Sequence, residues 1–269
     1  MSSIVIDKSY LQGTSSNEIK KLALNNRLLM SDALFYELLT TKPEYRCLCF
    51  NKFPKNSNPV DLIDHIGVFM NKEINTHKPS GPPSQHIETF AFKFNEKLTD
   101  IDYSPPTDSQ TEIEKETSRI KENVYTFLER AKVIQSFFPN LLEGSQMQRD
   151  KAHMEAEVLI VTPKSLSKFI GQLKLPVGEK ELPPADSMND SWAIYRWLQV
   201  QLLFALDVYV RYQANIPKEL SLKTYLKMEH DVLDAELLAL GCLEGSFATK
   251  EKKHIRWWQL LCQSGQLYE

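Results

Sequence analysis

Ile-Val-Ile at residues 4–6, followed directly by Asp7, is the stretch that decides the fold. This short apolar run predicts a buried strand whose carboxyl end carries an acid. A helical pattern comes next, and Leu-Leu-Met at residues 28–30 then predicts a second short strand. Ser31 is a favourable N-cap for the helix that follows. The order strand, helix, strand, helix predicts parallel pairing with a right-handed crossover, and therefore an α/β fold with a parallel sheet.

Most of the remaining chain is predicted to be helical, because apolar residues recur at helical spacing through much of the segment 56–218. Helices are expected over residues 60–74, 84–98, 120–138, 146–171 and 191–212, with Asn189 or Asp190 capping the last of them. Residues 45–50 are expected to form a third strand or an extended loop. A helix over about 219–240, ended by Gly241, is expected to precede a final short strand at 245–249.

The composition is that of an ordinary globular protein. The 269 residues carry a formal net charge of −3, and 42% of them are hydrophobic and 25% charged. These values exclude a fibre, a fully disordered chain and a disulfide-stapled miniprotein. The slightly acidic total does not exclude nucleic-acid binding, because a local basic patch is hidden in the sum.

Cysteine usage and the N-terminus indicate a reducing, cytoplasmic location. The four cysteines form no C-x-x-C pair, and Cys47 and Cys49 are expected to lie in a buried strand. The N-terminus lacks a basic region followed by a long apolar core. Residues 191–212 are strongly apolar, but Arg196 and Asp207 would be costly in lipid. This segment is therefore expected to be the central helix of a soluble core, with no membrane contact.

Acidic residues adjoin the predicted strands in separate parts of the chain. Asp7 lies at the carboxyl end of the first strand, where ligands of open α/β sheets bind. Glu37 lies in the helix after the second strand, and Glu251 lies just beyond the last strand. Asp231 and Asp234 are three residues apart, so they share a helical face. Carboxylates brought together repel one another, and Mg²⁺ or Mn²⁺ relieves that repulsion.

Each acid taken alone also has a structural interpretation. Asp7 would cap the next helix, and Glu37 would be a solvated helix residue. Asp231 and Asp234 would form an ordinary polar face, and Glu251 would be a salt-bridge partner for its lysine neighbours. Only the combination of these acids, in this order along an α/β chain, favours a catalytic site.

Short motifs at the two ends of the chain occur in a recognisable order. The first group comprises Ile-Val-Ile-Asp7 with Ser9, Leu11 and Gly13, and then Leu-Leu-Met-Ser-Asp-Ala-Leu-Phe-Tyr-Glu37-Leu. The second comprises His230-Asp231-Val-Leu-Asp234-Ala-Glu-Leu-Leu-Ala-Leu and Phe247-Ala-Thr249-Lys-Glu251-Lys. Together these motifs resemble a PIN-like nuclease domain, the second group being similar to its acid-bearing helix and last strand. The resemblance covers about residues 3–55 and 219–260.

The resemblance implies a PIN-like three-layer core with a parallel sheet. This core would be formed by residues 1–55 and 219–269 and enlarged by a long helical insertion, residues 56–218. The implied activity is metal-dependent hydrolysis of phosphodiester bonds, usually of RNA. The expected partner is therefore nucleic acid, RNA rather than DNA. A toxin, an RNA-processing enzyme and a defence protein all remain open as cellular roles, as do a protein partner and a homodimer.

The resemblance also implies the roles of the acids. Asp7, Glu37 and Asp234 would hold one or two Mg²⁺ or Mn²⁺ ions. The metal would activate water and stabilise charge on the phosphate. Asp231 competes with Asp234 for one role, and Glu251 would be a further catalytic acid. Similar helices place the metal acid nearer the last strand, which favours Asp234.

A phosphate substrate needs positive groups near these acids. Lys8 follows the first acid, and a basic helix follows the last strand. The candidate substrate-binding residues there are Lys250, Lys252, Lys253 and Arg256. Such contacts supply affinity without sequence specificity, although a solvated basic helix explains the same pattern. Trp257 and Trp258 offer a surface for base stacking, but core packing of at least one is expected.

Two other functions remain open at this point. The long insertion and a Glu rather than an Asp at position 251 favour a catalytically weak interaction module on a degenerate core. A flap-type DNA nuclease would use a similar acid cluster, although the sequence has no recognisable helix-hairpin-helix segment. The six histidines form no metal-protease or triad pattern, so they are expected at the surface or as caps. His230, beside the acidic face, is the exception.

Overall fold

A five-stranded, fully parallel sheet forms the centre of the protein in the computed structural model, which describes residues 2–55, 58–87, 96–172, 181–217 and 219–269. The strands are β1 (Ser2–Ile6), β2 (Asn26–Ser31), β3 (Asp61–Ile63), β4 (Ser246–Ala248) and β5 (Gln266–Tyr268). Their order across the sheet is β3-β2-β1-β4-β5. β1 is the central strand, and Val5 pairs with Leu29 on one side and with Phe247 on the other. The predicted α/β class with a parallel sheet is confirmed.

Helices make up most of the described chain. They are α1 (Lys8–Gly13), α2 (Ser16–Asn25), α3 (Asp32–Thr40), α4 (Pro43–Phe50), α5 (Ile66–Thr76), α6 (Thr107–Phe137), α7 (Gln146–Val161), α8 (Pro163–Gln172), α9 (Ala193–Arg211), α10 (Leu222–Glu244) and α11 (Lys252–Leu261). Short 3₁₀ turns lie at Pro83–Gln85, Glu96–Thr99 and Ala185–Ser187. The helix predicted over 146–171 is divided at Thr162 into α7 and α8.

The sheet differs from the sequence-based prediction at both edges. The helix predicted over 60–74 is wrong at its start, because Asp61–Ile63 pairs with β2 as an edge strand before α5 begins. β3 lies inside the segment 56–218, so part of that segment belongs to the sheet. β5 was not predicted, because its three residues carry too little pattern to be distinguished from a loop.

Two local predictions between the strands are also wrong. Residues 45–50 form neither a strand nor a loop but the helix α4, which begins with Pro43 in its first turn. Cys49 is therefore buried on a helix, and Cys47 is half-buried on the same helix. No α-helix occupies either end of the predicted 84–98 segment, where Ile87 bridges Ile63 of β3. Its middle, residues 88–95, lies outside the described residues.

α9 is a buried central helix, as predicted, but its N-terminus is capped differently. The Glu73 carboxylate of α5, fully buried, accepts hydrogen bonds from the backbone N–H groups of Ala193 (2.7 Å) and Ile194 (2.9 Å). A negative charge at this position satisfies orphan donors and opposes the positive end of the helix dipole. The expected cap at Asn189 or Asp190 is thus replaced by a side chain from a distant element. Within the described residues, no helix has the length and apolarity needed to cross a bilayer.

α10 packs along β1 and β4 and also contacts α6 and α9. It ends later than predicted, since Gly245 (φ 76°) forms the left-handed cap and Gly241 lies within the helix. A side chain at position 241 would clash with Phe247 of β4, because a Cβ would lie 2.8 Å from its ring. The absence of a side chain at Gly241 therefore lets α10 lie close to the sheet that carries Asp7.

A buried polar network joins α6 to α10. Arg119 donates to both carboxylate oxygens of Glu236 (2.5 and 2.9 Å) and also pairs with Glu116. Asn123 lies 3.3 Å from Glu236 and completes its partners. Glu236 is fully buried, so the Arg119 pairing offsets a desolvation cost that an unpaired carboxylate would carry in full.

Candidate active site

Four of the five candidate acids line one open pocket of about 240 Å³ at the carboxyl end of β1. The residues around it are Asp7, Lys8, Ser9, Gln12, Glu37, His230, Asp234 and Glu251. They come from the start of α1, from α3, from α10 and from the loop between β4 and α11. The central position of β1 explains this convergence, because both of its neighbouring strands deliver their following segments to the same edge of the sheet.

Asp7 is held rigidly at the base of the pocket and is only 2% exposed. Its carboxylate accepts hydrogen bonds from the Ser9 hydroxyl (2.7 Å), the Ser9 backbone N–H (3.2 Å) and the Thr249 hydroxyl (2.6 Å). Burial is the largest single effect and raises the pKa of Asp7, but His254, Thr249 and Ser9 together hold it below its ordinary value. Asp7 is therefore an ionised, fixed acceptor that also caps α1.

His254 lies behind Asp7 and is fully buried, so the expectation of a surface or capping role is wrong for this histidine. Its Nδ1 lies 3.4 Å from Asp7 Oδ2, a distance that gives electrostatic attraction without a well-aligned hydrogen bond. Both ring nitrogens lack a hydrogen-bond partner among the described residues. Burial lowers the pKa of His254, but Asp7 and Asp234 outweigh it and raise the pKa overall. The two acids thus favour the protonated form of His254.

Glu37 is bound by two neighbouring cations. Lys8 Nζ lies 2.9 Å from Glu37 Oε1, and His230 Nδ1 lies 3.3 Å from the same oxygen. The pKa of His230 is raised, chiefly through this contact with Glu37. The second oxygen, Oε2, is buried without a hydrogen-bond partner in the described structure. One Glu37 oxygen therefore remains open for a further ligand.

Asp234 is the uncompensated acid of the pocket. None of the described side chains or N–H groups donates a hydrogen bond to it. Burial raises the pKa of Asp234 to about 7, and Asp7 and Glu37 add to the rise, while His254 and Lys253 oppose it. An acid with so high a pKa is held in a position where its charge is unfavourable unless another cation is present.

Asp231 lies outside this pocket, although it is one turn from Asp234 on α10. Its carboxylate accepts from Arg211 (2.6 Å) and from Lys253 (3.3 Å) and is only 5% exposed. Arg211 also pairs with Asp207 of α9 at 2.5 Å. This ion network neutralises Asp231, which cannot reach the acid pocket without breaking its contacts with Arg211 and Lys253.

Some of the candidate substrate-binding residues are already held in ion pairs, and others are exposed. Lys253 and Arg256 are engaged in ion pairs, Lys253 with Asp231 and Arg256 with Glu157 (2.6 Å). Lys250 and Lys252 are exposed next to the pocket. The core buries both Trp257 and Trp258, so base stacking on either is wrong as a prediction and the expected core packing holds for both.

The acids of the pocket have the chemistry to bind a divalent cation, but their side chains are not arranged as a complete binding site. Carboxylate oxygens are hard ligands suited to Mg²⁺ or Mn²⁺. Two observations favour a cation: Glu37 Oε2 has no hydrogen-bond partner in the described structure, and the pKa of Asp234 is raised to about 7. As the side chains stand, the described residues contain no ready group of three or more His, Cys, Asp or Glu ligands. Lys8 supplies the positive charge beside Glu37 instead.

The groups that hold Asp7 in place were not predicted from the sequence. Ser9 and Thr249 were recognised only as motif letters, yet their hydroxyls also lie 3.1 Å from each other and link α1 to the segment after β4. The burial of His254 was hidden by its basic neighbours. Trp257, Trp258 and Leu261 follow His254 by three, four and seven residues, and this helical spacing of apolar residues is the signal that would have found it.

Comparisons of this chain with protein-family models, with curated proteins and with solved structures found no match. The function is therefore argued from the geometry of the pocket.

Proposed function

We propose that this protein is a PIN-like, metal-dependent nuclease that hydrolyses phosphodiester bonds, with RNA as the expected substrate. One observation carries the proposal: four acids from separate elements line one open pocket at the carboxyl end of the central strand. A structural cluster of this kind would be paired throughout. Here Asp234 has no hydrogen-bond donor among the described residues, and burial, together with Asp7 and Glu37, raises its pKa to about 7.

Asp7, Glu37 and Asp234 are the residues proposed to hold Mg²⁺ or Mn²⁺. When bound, such an ion activates water and stabilises charge on a phosphate. Ser9, Thr249 and His254 fix the orientation and ionised state of Asp7, which is the role expected of groups that position a ligand. No protein nucleophile is required for this reaction class.

Lys8 and Glu251 are proposed to act at the rim of the pocket. Lys8 is bound to Oε1 of Glu37, so a cation held by the same carboxylate through the unpartnered Oε2 would repel the Lys8 ammonium and weaken that contact. The released ammonium is then free to contact a substrate phosphate, as sequence analysis expected. Glu251 is an exposed residue of the pocket lining, where it contributes negative charge without being held by a partner side chain among the described residues.

A cleavage assay tests the proposal. Purified protein is incubated with labelled RNA and with labelled single-stranded DNA, in Mg²⁺, in Mn²⁺ and in EDTA. We expect cleavage of RNA in the presence of metal only, and its loss in Asp7→Asn and Asp234→Asn. Glu157→Gln is a useful control, because this buried acid binds Arg256 and Trp257 away from the pocket. Absence of metal-dependent cleavage on both substrates would contradict the proposal.

The Lys8–Glu37 contact favours a second candidate, a catalytically weak interaction module. A lysine within an acid cluster supplies the charge that a metal would otherwise supply, so the pocket would be structural. The two candidates differ in Lys8→Met. In the enzyme this variant removes the competitor and strengthens Mn²⁺ binding. In the module it leaves Glu37 with His230 as its remaining basic neighbour among the described residues and destabilises the fold without creating a metal site.

A further inference from the structure

α10 carries an exposed stripe that leads directly into the acid pocket. Leu222, Leu226, His230 and Asp234 follow one another at intervals of four residues, so they lie along one side of the helix. Leu222 is 75% exposed and Leu226 is 44% exposed. His230 is largely exposed as well, and it contacts Glu37 at the pocket. At 1.5 Å per residue, the stripe from Leu222 to Asp234 is about 18 Å long.

Two lysines run beside the apolar end of this stripe. Lys223 and Lys227 are exposed and are also four residues apart. Neither forms an ion pair with the described residues. The acid on this part of the helix is Glu229, which is half-buried beside Tyr36. The first two turns of α10 therefore present unpaired positive charge next to uncovered apolar surface.

We propose that these two turns, defined by Leu222, Lys223, Leu226 and Lys227 and called here the α10 track, bind single-stranded nucleic acid and guide it into the acid pocket. Lysine ammonium groups contact the phosphates, and the leucine side chains contact the faces of unpaired bases. The inference deepens the proposed function, because it names the form of substrate and the path by which it reaches the same site.

The occupant is argued from the combination of charge and apolar surface. A duplex offers phosphates but hides its base faces, so the two exposed leucines would remain uncovered. An unpaired strand offers both. Proteins that bind single strands combine a basic groove with aromatic side chains on which bases stack, and in the track the two leucines would supply the apolar contact to the base faces. The track adds a second cationic surface to the exposed Lys250 and Lys252 of the basic tail, in which Lys253 and Arg256 are already paired with acids.

The test measures binding of a fluorescein-labelled oligouridylate of about 12 nucleotides, within the range of single-strand site sizes, by anisotropy in EDTA at several salt concentrations. Lys223→Gln/Lys227→Gln should lower the slope of log affinity against log salt by about 1.4, or about 0.7 per lost contact. Leu222→Gln/Leu226→Gln should weaken binding by about threefold to tenfold with an unchanged slope. Lys20→Gln/Lys21→Gln, an exposed pair on α2, is the matched charge control.

Each result decides between defined outcomes. No binding of the oligouridylate by the wild type, or track variants that behave like the α2 control, overturns the inference. Tighter binding of an RNA duplex of the same length overturns the single-strand preference. Binding that depends on the track without cleavage in any metal leaves the track standing and removes the proposed nuclease function. Metal-dependent cleavage with an unchanged KM in both track variants supports the nuclease function and overturns the track.

Discussion

Asp234→Asn should stabilise the folded protein, because it removes a largely buried acid to which none of the described residues donates a hydrogen bond. The pKa of Asp234 is raised from 3.8 to about 7, first by burial and then by Asp7 and Glu37. At about 1.4 kcal/mol for each unit of pKa, the charged form costs up to about 4 kcal/mol. Asp234 retains some exposure to solvent, which reduces this figure, so we expect a gain of about 2 to 3 kcal/mol at alkaline pH.

The gain should depend on pH in a defined direction. Between the unfolded pKa near 3.8 and the folded pKa near 7, the folded state binds more protons at Asp234 than the unfolded state does. The stability contribution of this group therefore falls as pH rises through that window. The advantage of Asp234→Asn over the wild type should grow by about 2 kcal/mol between about pH 5 and about pH 8.

Urea denaturation of both proteins at the two pH values, without metal, measures this difference. Asp231→Asn is the matched control, since it makes the same chemical change one turn away but breaks ion pairs with Arg211 and Lys253. It should lose about 1 to 3 kcal/mol. A destabilised Asp234→Asn, or a gain that does not change with pH, would refute the account of Asp234 as an uncompensated charge.

Three further predictions concern the framework that positions the pocket. Arg119→Met leaves the buried carboxylate of Glu236 unpaired and should cost about 3 to 5 kcal/mol in urea denaturation; a near-neutral result would contradict that pairing. Glu73→Gln keeps the shape of the α9 cap but removes its charge, so thermal unfolding should show a loss of about 1 to 3 kcal/mol, and an unchanged midpoint would argue against the cap. Burial lowers the pKa of His65 from 6.5 to about 4, so its contribution to stability is lost as pH falls through that window. His65→Asn retains a good N-cap for α5 and should flatten the acid-side stability profile by about 2 kcal/mol at about pH 5, whereas an identical profile would exclude His65 as the cause.

The sequence was sufficient where the determining signal is local. β1 with its terminal Asp7, the helix that carries Glu37 and the final strand β4 are each defined by a short apolar run or a capping residue. Their order along the chain then predicts parallel pairing, which brings the segments after the strands to one edge. For that reason the sequence alone predicts that Asp7, Glu37 and Glu251 lie near one edge of the sheet.

Contacts between distant segments were beyond sequence analysis. No residue near Asp231 in the sequence predicts its contact with Arg211 of α9. That ion pair is nevertheless what holds Asp231 away from the pocket that Asp234 lines. The cap of α9 comes from Glu73, which lies more than a hundred residues earlier. β3 and β5 have three residues each, and they are strands because a neighbour of the sheet pairs with them. In each case the partner, rather than the residue itself, decides the outcome.

Calorimetric titration of Mn²⁺ into metal-free protein tests the central claim most directly, because it asks whether the acid pocket binds a divalent cation at all. The account predicts saturable binding by the wild type and loss of that binding in Asp7→Asn and in Asp234→Asn. Asp231→Asn should still bind Mn²⁺, because the Asp231 carboxylate of the wild type is already occupied by Arg211 and Lys253. Binding by the wild type would also raise its melting temperature by mass action. A wild-type protein that binds no Mn²⁺, or that binds it equally well without Asp7 and Asp234, would contradict the claim that these acids form a metal-dependent catalytic site.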